Sequence, residues 1–451
     1  MTLSRTPRTY FVVVLFISCI LGWSCGKKSE QGNRNLPSQA VLLHDCNKKL
    51  TDVIISDIFS PPVASRIYAY ANVAAYEALV PAFPEYQSLA GQLNGLTSLP
   101  SSNAGESLQR EVVMLVAFCA TAKKLVYSEY LLEDFQKENL EVFRKSGTSD
   151  DVLQKSVAFG QKIAGTILQW AGKDGFKESR SMPRFTYPKD PAKWVPTPPN
   201  YETAIEPYWN TLRPFVMSAA NAFAPPPPPA FDAKKNSAFY TEANEVYTIG
   251  KNLTEEEKNI AVFWDDNPNV SVVQGHLMYS AKKMTPGGHW IAITRTVLKQ
   301  KNADLIKSAE TYMATAVCLA DGFISCWDEK YRSVLLRPET YINTYIDPKW
   351  QPFIQTPPFP EYTSGHSTIS ASAASALTHL WGDNFAFTDS TELEFSLPVR
   401  SFTSFHQASR EAGLSRMYGG IHYRSGFEAG LEQGKKVGGF IMNKLKTRVG
   451  K

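Results

Sequence analysis

The sequence predicts an all-α fold with two helical bundles. Apolar residues recur at helical spacing through most of the 451 residues, whereas the alternation typical of half-buried strands is almost absent. The 29 prolines indicate that these helices are joined by long proline-rich loops. With 43% hydrophobic and 20% charged residues the composition is that of an ordinary globular protein, which excludes a disordered or collagen-like chain.

The predicted helices fall into two groups separated by a proline-rich stretch. The N-terminal bundle is assigned to residues 41–224 and the C-terminal bundle to residues 236–451. Residues 225–235 form the linker between them, because a run of prolines is a stiff, extended spacer. Apolar periodicity predicts the N-terminal helices over four segments, 62–80, 106–126, 129–145 and 151–171.

The C-terminal half contains clearer helix signals. Thr254 and Glu257 form a capping box, which opens a helix. Further helices are predicted over residues 302–333, 366–381, 402–415 and 426–446. Two stretches rich in proline, 180–235 and 339–363, are predicted to be loops.

The N-terminus predicts export and lipid attachment. Arg5 and Arg8 precede a short apolar run, so residues 1–24 are assigned to a signal peptide. The following LGWSCG segment resembles a bacterial lipoprotein signal, in which Cys25 becomes the lipidated first residue; an ordinary secretory peptide is the alternative. Residues 25–40 are polar and are predicted to be a flexible tether. The expected location is the bacterial cell envelope, periplasmic or at the outer membrane.

Charge and hydropathy exclude two kinds of partner. The net charge of +4 is too small to predict binding to nucleic acid. Beyond the N-terminal signal, no stretch of the sequence is long and apolar enough to cross a membrane. Contact with a membrane is therefore expected only through the lipid anchor.

Three clusters in the last third of the chain contain residue types that bind a tetrahedral anion: Lys330 with Arg337, Ser364-Gly365-His366, and Arg416 with His422. Guanidinium groups bind oxyanions bidentately and a lysine adds a point charge. A serine and a glycine amide at a helix N-terminus supply further donors. Each cluster alone also fits a solvated helix face or an N-cap, so the prediction rests on their occurrence together.

The two histidines of these clusters are assigned different roles. His422 is expected to bond to the central atom of the anion, and His366 to act as general acid–base because an imidazole titrates near neutral pH. The other histidines are predicted to be surface or core residues: His44, His276, His289, His379 and His406.

The clusters, in this order and spacing, resemble the vanadium-dependent haloperoxidase and type 2 phosphatidic acid phosphatase superfamily. The segment FPEYTSGH at 359–366, with a tryptophan before the lysine, is similar to the chloroperoxidase-like bacterial branch. The resemblance implies vanadate as cofactor, with vanadium ligated by His422. It implies that vanadate is held by Lys330, Arg337, Ser364, Gly365 and Arg416. It also implies that Trp327 and Phe359 border the halide, for which ordinary core packing is the alternative.

The sequence departs from the family pattern at two positions. Thr363 replaces the usual proline before Ser-Gly-His. The family's aspartate four residues after the last histidine is Gly426 here, and that carboxylate would orient the histidine. Glu428 is the candidate substitute.

These features support one leading function and two alternatives. The leading hypothesis is a vanadate-dependent haloperoxidase that oxidises halide with hydrogen peroxide to hypohalous acid, with a small organic acceptor as a further partner. The second is an acid phosphatase that forms a phosphohistidine at His422. The third is a lipoprotein that binds a ligand without catalysis.

Overall fold

The computed structural model describes residues 39–102, 105–268, 270–274, 276–280 and 282–450. The signal peptide, Cys25 and all but the last two residues of the predicted tether lie outside the described residues. Within them the fold is helical, which confirms the predicted all-α class. None of the described helices is both long and apolar enough to span a bilayer.

In the N-terminal half, the residues that the structure describes form six α-helices: α1 Gln39–Ser56, α2 Pro61–Leu79, α3 Arg110–Ala122, α4 Glu129–Lys145, α5 Asp150–Ala171 and α6 Phe176–Ser179. The four predicted helices are α2 to α5. The sequence patterns missed α1, in which every residue from Leu42 to Thr51 except Asp45, Lys48 and Lys49 is buried. A long irregular segment follows α6, as predicted.

In the described part of the C-terminal half there are eight α-helices: α7 Ala238–Lys251, α8 Glu255–Phe263, α9 Pro286–Gln300, α10 Leu305–Ser333, α11 Pro338–Tyr345, α12 Gly365–Trp381, α13 Phe405–Tyr418 and α14 Arg424–Lys444. Two antiparallel pairs of short strands accompany them: β1 Ser271–Gln274 with β2 Leu277–Ser280, and β3 Phe387–Asp389 with β4 Arg400–Phe402. The capping box at Thr254 and Glu257 opens α8, as predicted.

One loop prediction was wrong. Residues 339–363 were expected to be irregular, but α11 occupies their first third. Pro338 stands at the first position of α11, where a proline's fixed φ favours the helix and its missing N–H costs nothing. The proline therefore begins a helix here instead of excluding one.

Helices from both halves share one core. The central helix α10, buried along nearly all of its length, packs against α2 from the N-terminal half and against α12 and α14 from the C-terminal half. Most of the buried apolar side chains of these helices belong to one continuous cluster, and Ala371, Phe427 and Leu431 belong to a smaller one. The division of the chain at residues 225–235 stays a prediction.

Helices α12 and α14 pack closely together, and glycines make this possible. A Cβ at Gly434 would overlap the Thr368 carbonyl, and one at Gly438 would lie 2.6 Å from the Ser372 carbonyl oxygen. Small residues on the facing surface of α12 complete the contact. This pairing fixes the start of α12 against the turn that precedes α14.

Candidate active site

Lys330 and Arg337 lie on either side of the end of α10. Lys330 is in the last turn of α10, which Val334 ends in the left-handed conformation at φ 49°. Arg337 is the N-cap residue of α11. Both side chains are fully buried. Lys330 Nζ donates to the carbonyls of Pro360 and Glu361, at 2.9 Å each.

The Ser364-Gly365-His366 cluster opens α12. Ser364 is the N-cap residue, and its Oγ accepts a hydrogen bond from the Ser367 amide at 3.4 Å. Its hydroxyl hydrogen stays available to an anion, since that bond uses only an oxygen lone pair. His366 is the less buried of the two predicted site histidines: its side chain is 13% exposed, against 3% for His422.

Arg416 and His422 lie around the turn between α13 and α14. Arg416 is in the last turn of α13, and its Nη1 donates to the Trp264 carbonyl at 2.8 Å. His422 follows the turn at Gly419 and Gly420; Gly420 has φ +80°, and a Cβ there would meet Pro352 and Trp350 at 3.1 Å. This turn requires glycine both for its backbone conformation and for space.

The structure brings the three clusters together around one pocket. The pocket lining includes six of the site residues predicted from the sequence: Trp327, Phe359, Gly365, His366, Arg416 and His422. Lys330 and Arg337 are not in the lining but adjoin it: each lies 5.0 Å from the centre of the Phe359 ring, and Arg337 Nη1 reaches His422 Nε2 at 3.0 Å. Ser364 is buried beside Gly365.

Hydrogen bonds determine which ring nitrogen of His422 carries the proton. Its Nδ1 lies 2.6 Å from Glu361 Oε1, and its Nε2 lies 3.0 Å from Arg337 Nη1. Because a carboxylate accepts and a guanidinium donates, the proton is on Nδ1 and the lone pair is on Nε2. Burial, with the charges of Arg337 and Lys330, holds the pKa of His422 well below its usual range. His422 is therefore a neutral imidazole with a basic Nε2 at the pocket.

Glu361 supplies the carboxylate that Gly426 lacks. Glu361 is fully buried, and Oε1 also accepts from the Tyr423 amide at 3.1 Å. Glu428, the substitute expected from the sequence, lies on the surface and pairs with Arg424 at 3.5 Å, so that expectation was wrong. Glu361 lies inside the FPEYTSGH motif, yet only the folded chain reveals that its side chain reaches His422.

The site holds three buried cationic side chains, Lys330, Arg337 and Arg416, of which Arg416 is paired with Asp265 at 3.7 Å. Burial lowers the pKa of Lys330 to about 7 and that of Arg337 to about 10. Burial also raises the pKa of Glu361 to about 7, against the pull of Lys330 and Arg337. Unpaired buried charges are costly, so this arrangement favours an anionic ligand.

Buried nitrogen atoms without a hydrogen-bond partner support the same conclusion. Among the described residues, Arg337 Nη2, Arg416 Nε and His366 Nε2 are buried without a hydrogen-bond partner. The first two belong to guanidinium groups, whose fork matches the oxygens of a tetrahedral oxyanion. Vanadate fits this donor set, because its oxygens would take up the free N–H groups and His422 Nε2 would ligate the metal.

Trp327 and Phe359 form the apolar side of the pocket. Their ring centres lie 5.0 Å apart, and the Trp327 indole N–H donates to the Ile205 carbonyl at 3.2 Å, which fixes the ring. The Phe359 ring also makes cation–π contacts with Lys330 and Arg337.

A buried acidic group adjoins His366 and was missed by the sequence analysis. Asp266 lines the pocket, and its Oδ2 lies 3.9 Å from His366 Nε2. Behind Asp266 lies His289, which the sequence assigned to the core or surface and which is fully buried. With Glu392 they form a set of donors close enough to bind a cation, separate from the donors around His422. No local motif identifies this group.

Comparison with known proteins gave a family match and several matches to solved structures. The family described as VCPO second helical-bundle domain matches residues 310–451. The solved structure of a bacterial vanadium-dependent iodoperoxidase is 45% identical, with a TM-score of 0.87, and the match covers 92% of this chain and 99% of that one. No curated protein matches the sequence significantly.

Two more distant structures share the fold. They are the holo and apo forms of bacterial vanadium-dependent chloroperoxidase, at 16% and 15% identity. The TM-scores are 0.66 and 0.64, with 86% and 85% of this chain covered and 93% and 94% of those chains. At this identity the likeness concerns the fold alone.

Proposed function

The chain belongs to the vanadium-dependent haloperoxidase family, and we propose that it uses vanadate to oxidise a halide with hydrogen peroxide, giving hypohalous acid. The observation that carries this proposal is the set of bare guanidinium N–H groups around the basic Nε2 of His422. A buried pocket that combines unpartnered guanidinium N–H groups with the basic Nε2 of His422, which accepts from Arg337 Nη1 at 3.0 Å, fits an oxyanion whose central atom accepts a ligand.

The residues that would hold vanadate are Lys330, Arg337, Ser364, Gly365 and Arg416, with His422 as ligand to vanadium. Bound vanadate would supply Lewis-acid activation of peroxide without a change of oxidation state. Glu361 keeps the His422 proton on Nδ1 and so keeps Nε2 directed at the pocket.

His366 is the proposed general acid–base. Burial, with the charges of Arg416 and His289, holds its pKa well below the usual range, so the free side chain is neutral. Its Nε2 has no hydrogen-bond partner among the described residues and is available to take a proton from hydrogen peroxide and return one to the leaving oxygen.

Iodide and bromide are the proposed halides, with chloride the poorest. The apolar wall of Trp327 and Phe359 favours large, weakly hydrated anions, and the 45% identical relative is an iodoperoxidase. The hypohalous acid formed can pass halogen to a small organic acceptor. No feature of the pocket specifically favours the phosphatase alternative, so phosphatase activity serves as an outcome of the test.

Metal-free and vanadate-loaded protein should be assayed in parallel for iodide, bromide and chloride oxidation and for phosphate-ester hydrolysis. We expect halide oxidation only after vanadate is added. The His422→Ala variant should lose both vanadate binding and activity. The His366→Ala variant should retain binding while turnover falls about 10²–10⁴-fold, as for loss of a general acid–base. If vanadate only inhibits ester hydrolysis and confers no peroxidase activity, the phosphatase function replaces this one.

Export and lipid attachment at Cys25 are also proposed, on the evidence of the N-terminal sequence alone. Intact-mass measurement of protein extracted from membranes should find diacylglyceryl on Cys25 after removal of residues 1–24. An unmodified N-terminus at another residue would contradict this proposal.

A further inference from the structure

His289 lies between two aspartates directly behind the pocket. Its Nδ1 is 3.0 Å from both carboxylate oxygens of Asp266, and its Nε2 is 2.9 Å from Asp389 Oδ2. The Trp264 ring stacks on the imidazole with centres 4.5 Å apart. His289 and Asp389 are fully buried, and Asp266 is 3% exposed.

This geometry requires both ring nitrogens of His289 to donate. Each faces a carboxylate oxygen, and a neutral imidazole has only one N–H, so the arrangement is satisfied by an imidazolium. Burial opposes the charge, but Asp266 and Asp389 outweigh it and raise the pKa of His289 well above its usual value.

Asp266 poses an electrostatic problem for the proposed function. Its carboxylate lines a pocket that must hold an anion, and like charges in a buried site repel. A third acid, Glu392, also faces His289. Its Oε1 lies 3.7 Å from Nδ1 and has no hydrogen-bond partner among the described residues. Burial, with Asp266 close by, raises the pKa of Glu392 to about 8, so it adds little negative charge near neutral pH.

We propose that His289 is the counter-ion of Asp266 and a positioning residue of the active site. Held from behind by Asp389, it orients the Asp266 carboxylate beside His366 and offsets part of the negative charge that would otherwise repel the anion. This role rests on the proposed vanadate-binding function. His289 does not touch the pocket itself and acts through Asp266.

Two measurements test the role. The first is made without vanadate and does not require any variant to be active. In protein with ¹⁵N-labelled histidine, the ring nitrogens of His289 should show imidazolium shifts up to at least about pH 8, above the usual histidine pKa of about 6.5. The signals are assigned by their loss in His289→Gln. A neutral His289 at neutral pH would overturn the proposal, and so would a stoichiometric divalent cation bound through Asp266, His289 and Glu392.

The second measurement is a double-mutant cycle on orthovanadate affinity, read by calorimetry. His289→Gln leaves Asp266 uncompensated and should weaken binding roughly tenfold, the size expected for one charge across a partly buried site. Asp266→Asn should restore binding in the His289→Gln background, because the carboxylate that needed a counter-ion is gone. His379→Gln, at an exposed position of α12, is the matched control.

The cycle separates this inference from the proposed function. If the wild-type protein binds vanadate but the two substitutions act additively, His289 has only a structural role and the inference fails. If the wild-type protein does not bind vanadate, the proposed function fails, while the NMR measurement still decides the charge of His289.

Discussion

The close contact between Glu361 and Gly426 leads to a prediction about how His422 is held in place. Glu361 Oε1 accepts from His422 Nδ1 at 2.6 Å, and a Cβ at Gly426 would meet both carboxylate oxygens of Glu361 inside van der Waals contact. The carboxylate and the glycine therefore depend on each other. Replacing Glu361 by Gln keeps an acceptor for Nδ1 but removes the charge beside two buried cations.

The expected losses of vanadate affinity and of folding stability follow from these contacts. Loss of the carboxylate behind a metal-ligating histidine typically weakens metal affinity about 10–100-fold, so Glu361→Gln should weaken vanadate binding by that factor. Gly426→Asp alone should destabilise the fold by roughly 1–3 kcal/mol, because overpacking a buried site costs that much. In the Glu361→Ala background the same substitution has room, and part of the vanadate affinity should return.

Vanadate titration by calorimetry, with urea unfolding of each variant, measures both effects. Glu428→Gln is the matched control, since Glu428 is a surface residue paired with Arg424, and it should behave as wild type. Two results would refute the reasoning: wild-type vanadate affinity in Glu361→Gln, or a Gly426→Asp protein as stable as the wild type with Glu361 in place.

Three further predictions concern the pocket and its scaffold. Phe359→Ala should lower kcat/KM for iodide roughly 10–100-fold, the scale of a lost apolar pocket contact, while phosphate-ester hydrolysis by metal-free protein changes less. Because the pKa of Lys330 is lowered to about 7 in the anion-free fold, vanadate binding at higher pH must take up a proton. The rise in Tm that vanadate causes should therefore be largest below about pH 7 and shrink above it, and Lys330→Met should remove this dependence; a rise that grows with pH would contradict the assignment. Gly434→Ala should destabilise the protein by roughly 1–3 kcal/mol in urea, because its Cβ overlaps the Thr368 carbonyl. Gly439→Ala, with open space on the same helix, should be neutral or stabilising.

Site residues that belong to short local motifs could be predicted from the sequence. Lys330 and Arg337 belong to one short motif, Ser364 to His366 to another, and the fold had only to bring the motifs together. The helices were predictable for the same reason, since periodicity and capping are local. The helix that begins at Pro338 was missed because proline was treated as a helix breaker although it is favoured in the first turn.

Residues that support the site from a distance could not be predicted. Glu361 was visible within its motif, but nothing local indicates that its carboxylate reaches His422 across 61 positions of sequence. His289 and Asp389 are separated by 100 positions and meet only because α9 packs beside the β3 strand. Such pairs depend on tertiary packing, which a single sequence does not display.

The two missed carboxylates have opposite electrostatic effects on the site. Glu361 stands behind His422, where a negative charge makes Nε2 a better ligand and partly offsets Lys330 and Arg337. Asp266 faces the pocket, where a negative charge opposes the anion and is tolerable only beside a cation. Among the described residues, His289 is the cation that contacts it, with both Asp266 oxygens 3.0 Å from Nδ1. In the proposed vanadate site, the two arginines and the lysine would therefore attract the oxyanion, while one partly compensated carboxylate stays next to His366, the proposed general acid–base.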